Sequence, residues 1–326
     1  MQLILDSYGA WLGRKRNMFE VRKENDRQLL STEQMRSILL AQGVGFSSDA
    51  MKLAVENEIE VLFVDKRGQP FARVWSPNYG SITEVRRKQV DFCRSREGLE
   101  WAKNQVLAKV QQRQAFLHQL RKERPGKEGK LSLAIKNMHS WWQKLCDHSL
   151  DGSEKATAQL RSIEGQAGSH YWKTLGQLLK PPFQFEKRGK SPADNPFHAL
   201  LNYYYGMLYG HVEGKAIIAG IDPYLGIIHG ESKRKTAFVF DAIEFYRVWA
   251  EKTAYKICYQ QQLSHEGFEF KEGEVQLNKE GKKIAIPAFN EHLMEVVEFN
   301  GIRRGRLTHL QEDMYRIAEK MRILPA

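Results

Sequence analysis

The first 80 residues carry short apolar stretches separated by polar turns, and this pattern is typical of β-strands. We predict strands at residues 3–6, 18–21 and 60–64, the last of which has the continuous apolar composition of a buried strand. The segments at residues 31–40 and 48–57 have apolar residues at helical spacing and predict two short helices. The first part of the chain is therefore expected to be rich in β-structure.

From residue 85 onward the apolar positions recur at intervals of three and four, which is the period of an α-helix. The predicted helices are residues 85–123, 131–146, 153–179, 196–213, 236–259, 291–299 and 307–323. A small hairpin is expected within residues 268–289, with its turn at the segment Asn-Lys-Glu-Gly. The change of period predicts two domains, at residues 1–84 and 85–326.

The net charge of +11 is distributed unevenly along the chain. Residues 1–84 contain 11 Lys or Arg and 11 Asp or Glu, whereas the remainder contains 39 basic and 28 acidic residues. The excess of positive charge therefore belongs to the helical part, which favours a polyanion such as DNA as its partner. Charge alone leaves open the alternative that this is a basic protein without such a ligand.

The composition narrows the class of protein. No run of 18 apolar residues is present, and the N-terminus lacks the pattern of a signal peptide, so neither a membrane span nor secretion is expected. The three cysteines, Cys93, Cys146 and Cys258, are far apart and form neither a disulfide framework nor a metal-binding pair. We therefore expect a protein of the reducing cytoplasm.

Four ionisable residues lie in apolar or small-residue surroundings, where an isolated charge is costly. These residues are Glu164, His229, Asp241 and Glu244. Asp241 and Glu244 are three residues apart, so a helix places both on one face, and Arg247 extends that face. Carboxylates in such surroundings either pair with basic residues or bind a metal ion, and the pattern alone leaves both interpretations open. The combination of carboxylates with an imidazole suits Mg²⁺ or Mn²⁺.

Basic residues near these positions are candidates for phosphate binding. Arg188 lies in a polar loop, and the run from Lys233 to Lys235 follows His229 closely. The alternative for both is an ordinary solvated surface. The aromatic residues within 196–213 suit either base stacking or, for most of them, core packing.

Motifs that contain these residues follow one another in a specific order along most of the chain. They are Ile163-Glu164-Gly165-x-Ala167, Arg188-Gly189, Asp194-Asn195-Pro196, Leu201-Asn202-Tyr203-x-Tyr205-Gly206, the segment GIDPYLGIIH that ends at His229, and Phe240-Asp241-Ala242-Ile243-Glu244-Phe245-Tyr246-Arg247. Each motif alone is weakly specific. In this order, they make the sequence resemble the CRISPR-associated integrases, the catalytic subunit of spacer acquisition, and the resemblance favours the metal-binding interpretation.

The resemblance implies an α+β fold. It implies an N-terminal β-sandwich-like domain that mediates dimerisation, followed by a larger, all-α-helical catalytic domain. Glu164, His229 and Glu244 are then the expected ligands of Mg²⁺ or Mn²⁺, and Asp241 is an additional catalytic residue beside them or a ligand itself. The residues expected to hold DNA phosphates are Arg188, Lys233, Arg234, Lys235 and Arg247.

The resemblance also implies a reaction and partners. The 3′-hydroxyl of a captured DNA fragment attacks a phosphodiester at the edge of a CRISPR repeat, and the same chemistry with water gives endonuclease activity. Two homodimers are expected to be bridged by a small ferredoxin-like CRISPR-associated protein. Two alternatives remain at this point, namely a DNA-binding scaffold without catalysis and a general metal-dependent nuclease of DNA repair.

Overall fold

The computed structural model describes residues 2–23, 26–33, 35, 37–57, 59–65, 70–74, 82–189, 192–229, 236–299 and 301–324. The chain divides into two compact units, Met1–Gly80 and Ser81–Ala326. A boundary after residue 84, as predicted, would divide the first helix of the second unit, Ile82–Arg94. The observed boundary lies earlier, after Gly80. The difference arises because the apolar spacing of this helix begins at Val85, whereas its first turn already contains residues 82–84.

The first unit is built from short strands. They are β1 (Gln2–Leu5), β2 (Trp11–Lys15), β3 (Met18–Lys23), β4 (Asp26–Ser31), β5 (Ser37–Ala41), β6 (Gly45–Phe46), β7 (Glu60–Val64) and β8 (Pro70–Val74). In the described part of this unit they form one sheet in the order β1-β5-β7-β8 and another in the order β4-β3-β2-β6. The pairs β1–β5 and β5–β7 are parallel, whereas β2, β3 and β4 form an antiparallel meander.

Both sheets of the first unit contribute to one hydrophobic core. Leu12 and Phe19 from one sheet, and Ile38 and Val61 from the other, are buried in the same cluster. Helix α1 (Ser48–Glu56) adds Leu53 and begins where Ser47 Oγ accepts a hydrogen bond from the amide of Ala50. The prediction of a β-rich first part with a helix at residues 48–57 is confirmed.

The helix predicted at residues 31–40 is wrong. Ser31 ends β4, and the apolar run at residues 37–41 is β5, which pairs with a strand on each side. A short apolar run has no periodicity that distinguishes a buried strand from a helix, and here burial in the middle of a sheet decides its conformation.

The second unit is mainly helical. Its helices are α2 (Ile82–Arg94), α3 (Arg96–Glu123), α4 (Glu128–Asp147), α5 (Glu154–Leu178), α6 (Pro196–Ile218), α7 (Ala237–Ile243), α8 (Arg247–Tyr259), α9 (Lys279–Met294) and α10 (Arg306–Arg322). The side chains of Ser95, Ser153, Asn195 and Asn278 cap four of these helices at their N-termini. In the part of the chain that the structure describes, no helix combines the length and the apolar character needed to cross a lipid bilayer.

Two of the predicted long helices are broken. The segment 85–123 forms α2 and α3, because Ser95 has an extended backbone and caps the second helix. The segment 236–259 forms α7 and α8, which are separated by a turn at residues 244–246. The apolar spacing continues across both breaks, so it did not reveal them.

The second unit also contains two small hairpins. The resemblance implied an all-α-helical domain, and the hairpins are the exception to it. The first pairs β9 (Phe268–Lys271) with β10 (Glu274–Leu277), and the second pairs β11 (Val296–Phe299) with β12 (Ile302–Gly305). The first hairpin lies earlier than predicted, because Asn278 caps helix α9 and does not form a turn. Asn is favoured both in turns and at N-caps, so the residue type was ambiguous.

The aromatic residues of helix α6 belong to the core. Phe197 and Tyr204 are fully buried, and Tyr204 stacks on Phe289 with 4.6 Å between ring centroids. Core packing is thus the role of these two rings, in agreement with the alternative that the sequence favoured for most of this helix.

Candidate active site

Two of the predicted carboxylates converge on one buried lysine. Glu164 lies on α5, Glu244 directly follows α7, and Lys109 lies on α3. The Nζ atom of Lys109 is 2.9 Å from Oε1 of Glu164 and also donates a hydrogen bond to Oε2 of Glu244. A single positive charge therefore occupies the position between the two carboxylates.

The two carboxylates differ in exposure. The side chain of Glu244 is 6% exposed, whereas that of Glu164 is 27% exposed. Burial raises the pKa of both carboxyls, but nearby cations outweigh it and hold each pKa below its usual value. For Glu244 these cations are Arg247 and Lys109. For Glu164 they are Lys109 and the more distant Arg113, 3.7 Å from Oε1.

Asp241 has a different role from Glu244, although both lie in one motif. Its carboxylate is completely buried and accepts hydrogen bonds from the amides of residues 227, 228 and 229. Its Oδ1 atom also lies 2.6 Å from Nδ1 of His229. Asp241 therefore fixes both the backbone of the loop that precedes α7 and the orientation of the imidazole.

The imidazole of His229 lies at the rim of this cluster. Its side chain is 32% exposed, and its ring packs near Phe240 with 5.7 Å between centroids. Because Nδ1 faces the carboxylate of Asp241, the Nε2 atom is the one left for a ligand or a proton. His229 is close enough to Glu244 to interact with it electrostatically.

Glu164 and Glu244 thus form an ion-pair cluster around Lys109, whereas His229 pairs with Asp241. Among the described residues, no three His, Cys, Asp or Glu side chains come together as a ready metal-ligand set. The donor chemistry nevertheless fits a hard divalent cation. Two carboxylates from different elements contact one cationic position, and the imidazole fixed by Asp241 is near enough to interact electrostatically with Glu244.

Gln89 on α2 anchors the loop that carries His229. Its Nε2 atom donates to the carbonyl oxygens of Asp222 and Leu225, at 2.8 and 3.1 Å, and its Oε1 atom accepts from the amide of Asp222 at 2.8 Å. Gln89 is completely buried, so these bonds are shielded from water. Sequence reasoning missed this residue, because a lone Gln in a helical pattern carries no signal.

Gly226 lies in the same loop, where the backbone approaches α7 closely. A Cβ atom at this position would lie 2.5 Å from Cβ of Ala237 and 2.7 Å from its carbonyl carbon. We expect Gly226→Ala to push the loop away from α7 and to lower the free energy of unfolding by about 1–3 kcal/mol, measured by urea denaturation.

The matched control for this substitution is Gly129→Ala. Gly129 lies in α4, where an added Cβ atom would meet no other atom within 4 Å. This variant should be as stable as the unaltered protein or slightly more stable, since Ala favours a helix over Gly by about 0.5–1 kcal/mol. Equal stability of the two variants would show that the loop tolerates a side chain at residue 226.

A second buried network lies beside the first. The guanidinium of Arg113 forms two hydrogen bonds with Glu251, at 3.0 and 2.6 Å, and the hydroxyl of Tyr205 donates to the same carboxylate at 2.7 Å. Arg113 also lies over the rings of Tyr171 and Trp172, at 4.9 and 5.1 Å from their centroids. This network was not predicted from the sequence, although Glu251 has the same apolar surroundings that singled out Glu244.

Arg188 is the best placed of the predicted phosphate-binding residues. Its guanidinium donates to Oδ1 of Asn202 at 2.6 Å and to the carbonyl oxygen of Gly189, and it lies 5.7 Å from the ring centroid of Trp172. Within the described ranges, no carboxylate is within ion-pair distance of it. Burial lowers the pKa of Arg188, and an anion beside it would relieve that penalty.

The other predicted phosphate-binding residues have different positions. Arg247 donates hydrogen bonds to Glu244 at 2.8 Å and to the hydroxyl of Tyr209 at 3.0 Å. Its guanidinium therefore already has partners within the protein. Lys233, Arg234 and Lys235 lie outside the described residues.

Comparisons with known proteins show related sequences and folds. The sequence model of the family described as CRISPR associated protein Cas1 matches residues 3–291. A CRISPR-associated endonuclease Cas1 of Archaeoglobus fulgidus is 26% identical over 319 residues, covering 92% of this chain and 90% of that protein.

Solved structures with a similar fold were also found. One is a casposase bound to integration product, with a TM-score of 0.81 and 16% identity over 98% of this chain and 90% of that chain. Another is a chain of a Cas6-RT-Cas1–Cas2 complex, with a TM-score of 0.78 and 20% identity over 98% of this chain and 35% of that longer chain. At such identities the likeness concerns the fold alone, and it matches the α+β architecture described above.

The family match spans most of the chain and includes every motif on which the resemblance was based. The resemblance inferred from those motifs is thereby confirmed. This chain belongs to the family of CRISPR associated protein Cas1.

Proposed function

We propose that this protein is a divalent-metal-dependent DNA integrase and endonuclease, which inserts captured DNA fragments into a CRISPR array. The single observation that carries the proposal is the convergence of Glu164 and Glu244 on one cationic position, beside an imidazole fixed by Asp241. Family membership supports the reaction class, and the similar casposase was solved with an integration product.

Glu164, Glu244 and His229 would hold Mg²⁺ or Mn²⁺, with oxygen donors from the carboxylates and Nε2 from the imidazole. The bound cation would supply electrostatic stabilisation of the charge that develops on the reacting phosphate. Asp241 would keep the imidazole in one tautomer and orientation, as a carboxylate behind a metal-binding histidine does in other proteins.

In the proposed reaction, the 3′-hydroxyl of the fragment attacks a phosphorus atom at the edge of the repeat. A new phosphorus–oxygen bond forms, and the bond to the 3′-oxygen of the repeat strand breaks. The proton of the attacking hydroxyl would pass to solvent, and the leaving 3′-oxygen would take up a proton from solvent. Asp241 would hold the ring of His229 in place throughout. Water in place of the fragment's hydroxyl gives cleavage without joining.

DNA would be held by basic residues around the cluster. Arg188 is suited to a phosphate because it is a half-buried guanidinium beside the aromatic face of Trp172. Arg247 would act from within the cluster, and Lys233, Arg234 and Lys235 complete the proposed set. The excess of positive charge after residue 84 supports this assignment.

The proposed assembly is a homodimer that forms through the first domain, with a small ferredoxin-like CRISPR-associated protein bridging two dimers. The balanced charge of residues 1–84 suits a protein-facing role. The similar chain in a Cas6-RT-Cas1–Cas2 complex supports a CRISPR-associated partner.

A strand-transfer assay tests the proposal. A DNA fragment with a labelled 3′-end is incubated with a repeat-bearing plasmid, with and without Mg²⁺ or Mn²⁺. We expect label to join the plasmid at the repeat only when both the metal and a free 3′-hydroxyl are present. Cleavage without joining would instead indicate a repair-type nuclease, and salt-sensitive binding without either reaction would indicate a scaffold.

The variant His229→Ala belongs in the same assay. Loss of the imidazole should reduce strand transfer by about 10²-fold or more while DNA binding persists. The matched control is His118→Ala, which removes an exposed imidazole on α3 and should leave strand transfer unchanged. Full activity of the His229 variant would contradict the assignment of this residue.

A further inference from the structure

The position between the two proposed metal-binding carboxylates is filled by a side chain of the protein. Lys109 is buried, and its ammonium contacts both Glu164 and Glu244. Building on the proposed function, we propose that Lys109 is an internal substitute for the metal ion. It holds the carboxylates together in the metal-free protein, and it must leave them before a divalent cation enters.

The contacts of the ammonium nitrogen favour this exchange. The ammonium nitrogen is 2.9 Å from Oε1 of Glu164 and in direct contact with Oε2 of Glu244. A Mg²⁺ ion bonds carboxylate oxygens at about 2.0–2.1 Å. An ion bound to the same two oxygens would lie against the ammonium nitrogen, where steric overlap and like-charge repulsion both exclude it.

The charges around the site also favour the exchange of Lys109 for a metal ion. Arg247 donates to the remaining oxygen of Glu244, so the two carboxylates, Arg247 and Lys109 together carry no net charge. Arg113 is also nearby, but its two hydrogen bonds go to Glu251, and it makes only a longer ion pair, of 3.7 Å, with Glu164. Without Lys109, the carboxylates would carry one uncompensated negative charge and would attract a cation more strongly.

The exchange also gives the site a preference for divalent ions. A monovalent ion brings the same charge as the ammonium that it replaces, and it has no covalent link to the protein. A divalent ion brings twice the charge to the same two oxygens and can displace the lysine. Lys109 is in this sense a specificity-determining residue of the proposed metal site.

Mn²⁺ titration of the full-length protein tests the inference in the absence of DNA. Binding is followed by calorimetry and by the loss of the electron paramagnetic resonance signal of free Mn²⁺. Lys109→Met and Lys109→Gln should each bind Mn²⁺ with a dissociation constant at least roughly tenfold lower than that of the unaltered protein. Mn²⁺ should also raise the melting temperature of each variant by more than it raises that of the unaltered protein.

The matched control is Lys103→Met. Lys103 lies on the same helix, and its Nζ atom donates to the carbonyl oxygens of Cys146 and His148 at 2.7 and 2.5 Å, away from the carboxylates. The control removes one positive charge from α3 and should leave the Mn²⁺ affinity within about twofold of that of the unaltered protein. The glutamine variant keeps a hydrogen-bond donor for the buried carboxylates, so it serves even if the methionine variant is too unstable to titrate.

The outcomes separate this inference from the proposed function. If the unaltered protein binds Mn²⁺ but the Lys109 variants bind it equally or less tightly, the inference is overturned and the proposed function stands. If neither the unaltered protein nor the Lys109 variants bind Mn²⁺, or if Glu164→Gln binds it as tightly as the unaltered protein, the proposed metal site itself fails. Tighter binding in both Lys109 variants and none in Glu164→Gln supports both.

Discussion

Strand transfer should fall by about 10²–10³-fold when Glu164 is replaced with glutamine, while the fold is retained. Glutamine has the same shape but no charge, so it removes one of the two anionic groups proposed to hold the metal. The fold should survive because Glu164 is partly exposed and its ion-pair partners, Lys109 and Arg113, have other carboxylate partners. The readout is the rate at which the labelled 3′-end joins a repeat-bearing plasmid, with circular dichroism as the measure of folding.

The same substitution elsewhere on α5 provides the control. Glu154 lies in the first turn of that helix and is exposed, so Glu154→Gln should leave strand transfer unchanged. A Glu164→Gln variant that is as active as the Glu154 control would remove Glu164 from the site. Loss of helical signal in the Glu164 variant would instead mean that this carboxylate is needed for folding.

The largest effect on stability is expected for Glu251→Ala, which should lower the free energy of unfolding by about 3–5 kcal/mol. The substitution leaves the buried guanidinium of Arg113 without its paired carboxylate and removes the acceptor of the Tyr205 hydroxyl. Guanidinium chloride denaturation measures the effect.

A double variant separates the ion pair from the packing around it. Replacing both Arg113 and Glu251 with methionine removes the two charges together and should be much less destabilising than Glu251→Ala alone. If the double variant is as unstable as the single one, the cost comes from lost packing and not from an unpaired charge.

The carboxylate of Glu251 also makes stability depend on pH. Burial raises the pKa of Glu251, but Arg113 outweighs it and holds the pKa below the ordinary value of 4.5. As the pH falls, Glu251 therefore binds a proton at a higher pH in the unfolded chain than in the folded protein. The stabilisation is present above about pH 4.5 and is lost as the pH falls through the lower folded-state value. Glu251→Ala should accordingly lose less stability in this acid range than the unaltered protein.

The sequence predicted the class of fold and the course of most elements, because apolar periodicity follows from which face of an element is buried. It did not predict the breaks at Ser95 and at residues 244–246, where the spacing continues but the backbone turns. It also assigned the strand at residues 37–41 to a helix, since that conformation depends on partners from both sides of the sheet.

The candidate site was predicted in part. Asp241 and Glu244 do lie together, as their spacing indicated, but one fixes a loop and the other pairs with Lys109. Lys109 and Arg113 were missed because a basic residue in a polar-looking helix is ordinarily solvated. Their partners are more than 50 residues away along the chain, so only the packing of α3 against α5, α7 and α8 brings them into contact.

The pairing of β1 with β5 has a consequence for synthesis of the chain. Strand β1 leaves the ribosome before its partner β5 at residues 37–41, and the sheet is completed only with β7 and β8. The antiparallel meander β2–β3–β4, made of neighbours in the chain, can form in the meantime. Strand β1 thus stays without its partner β5 while the second sheet assembles.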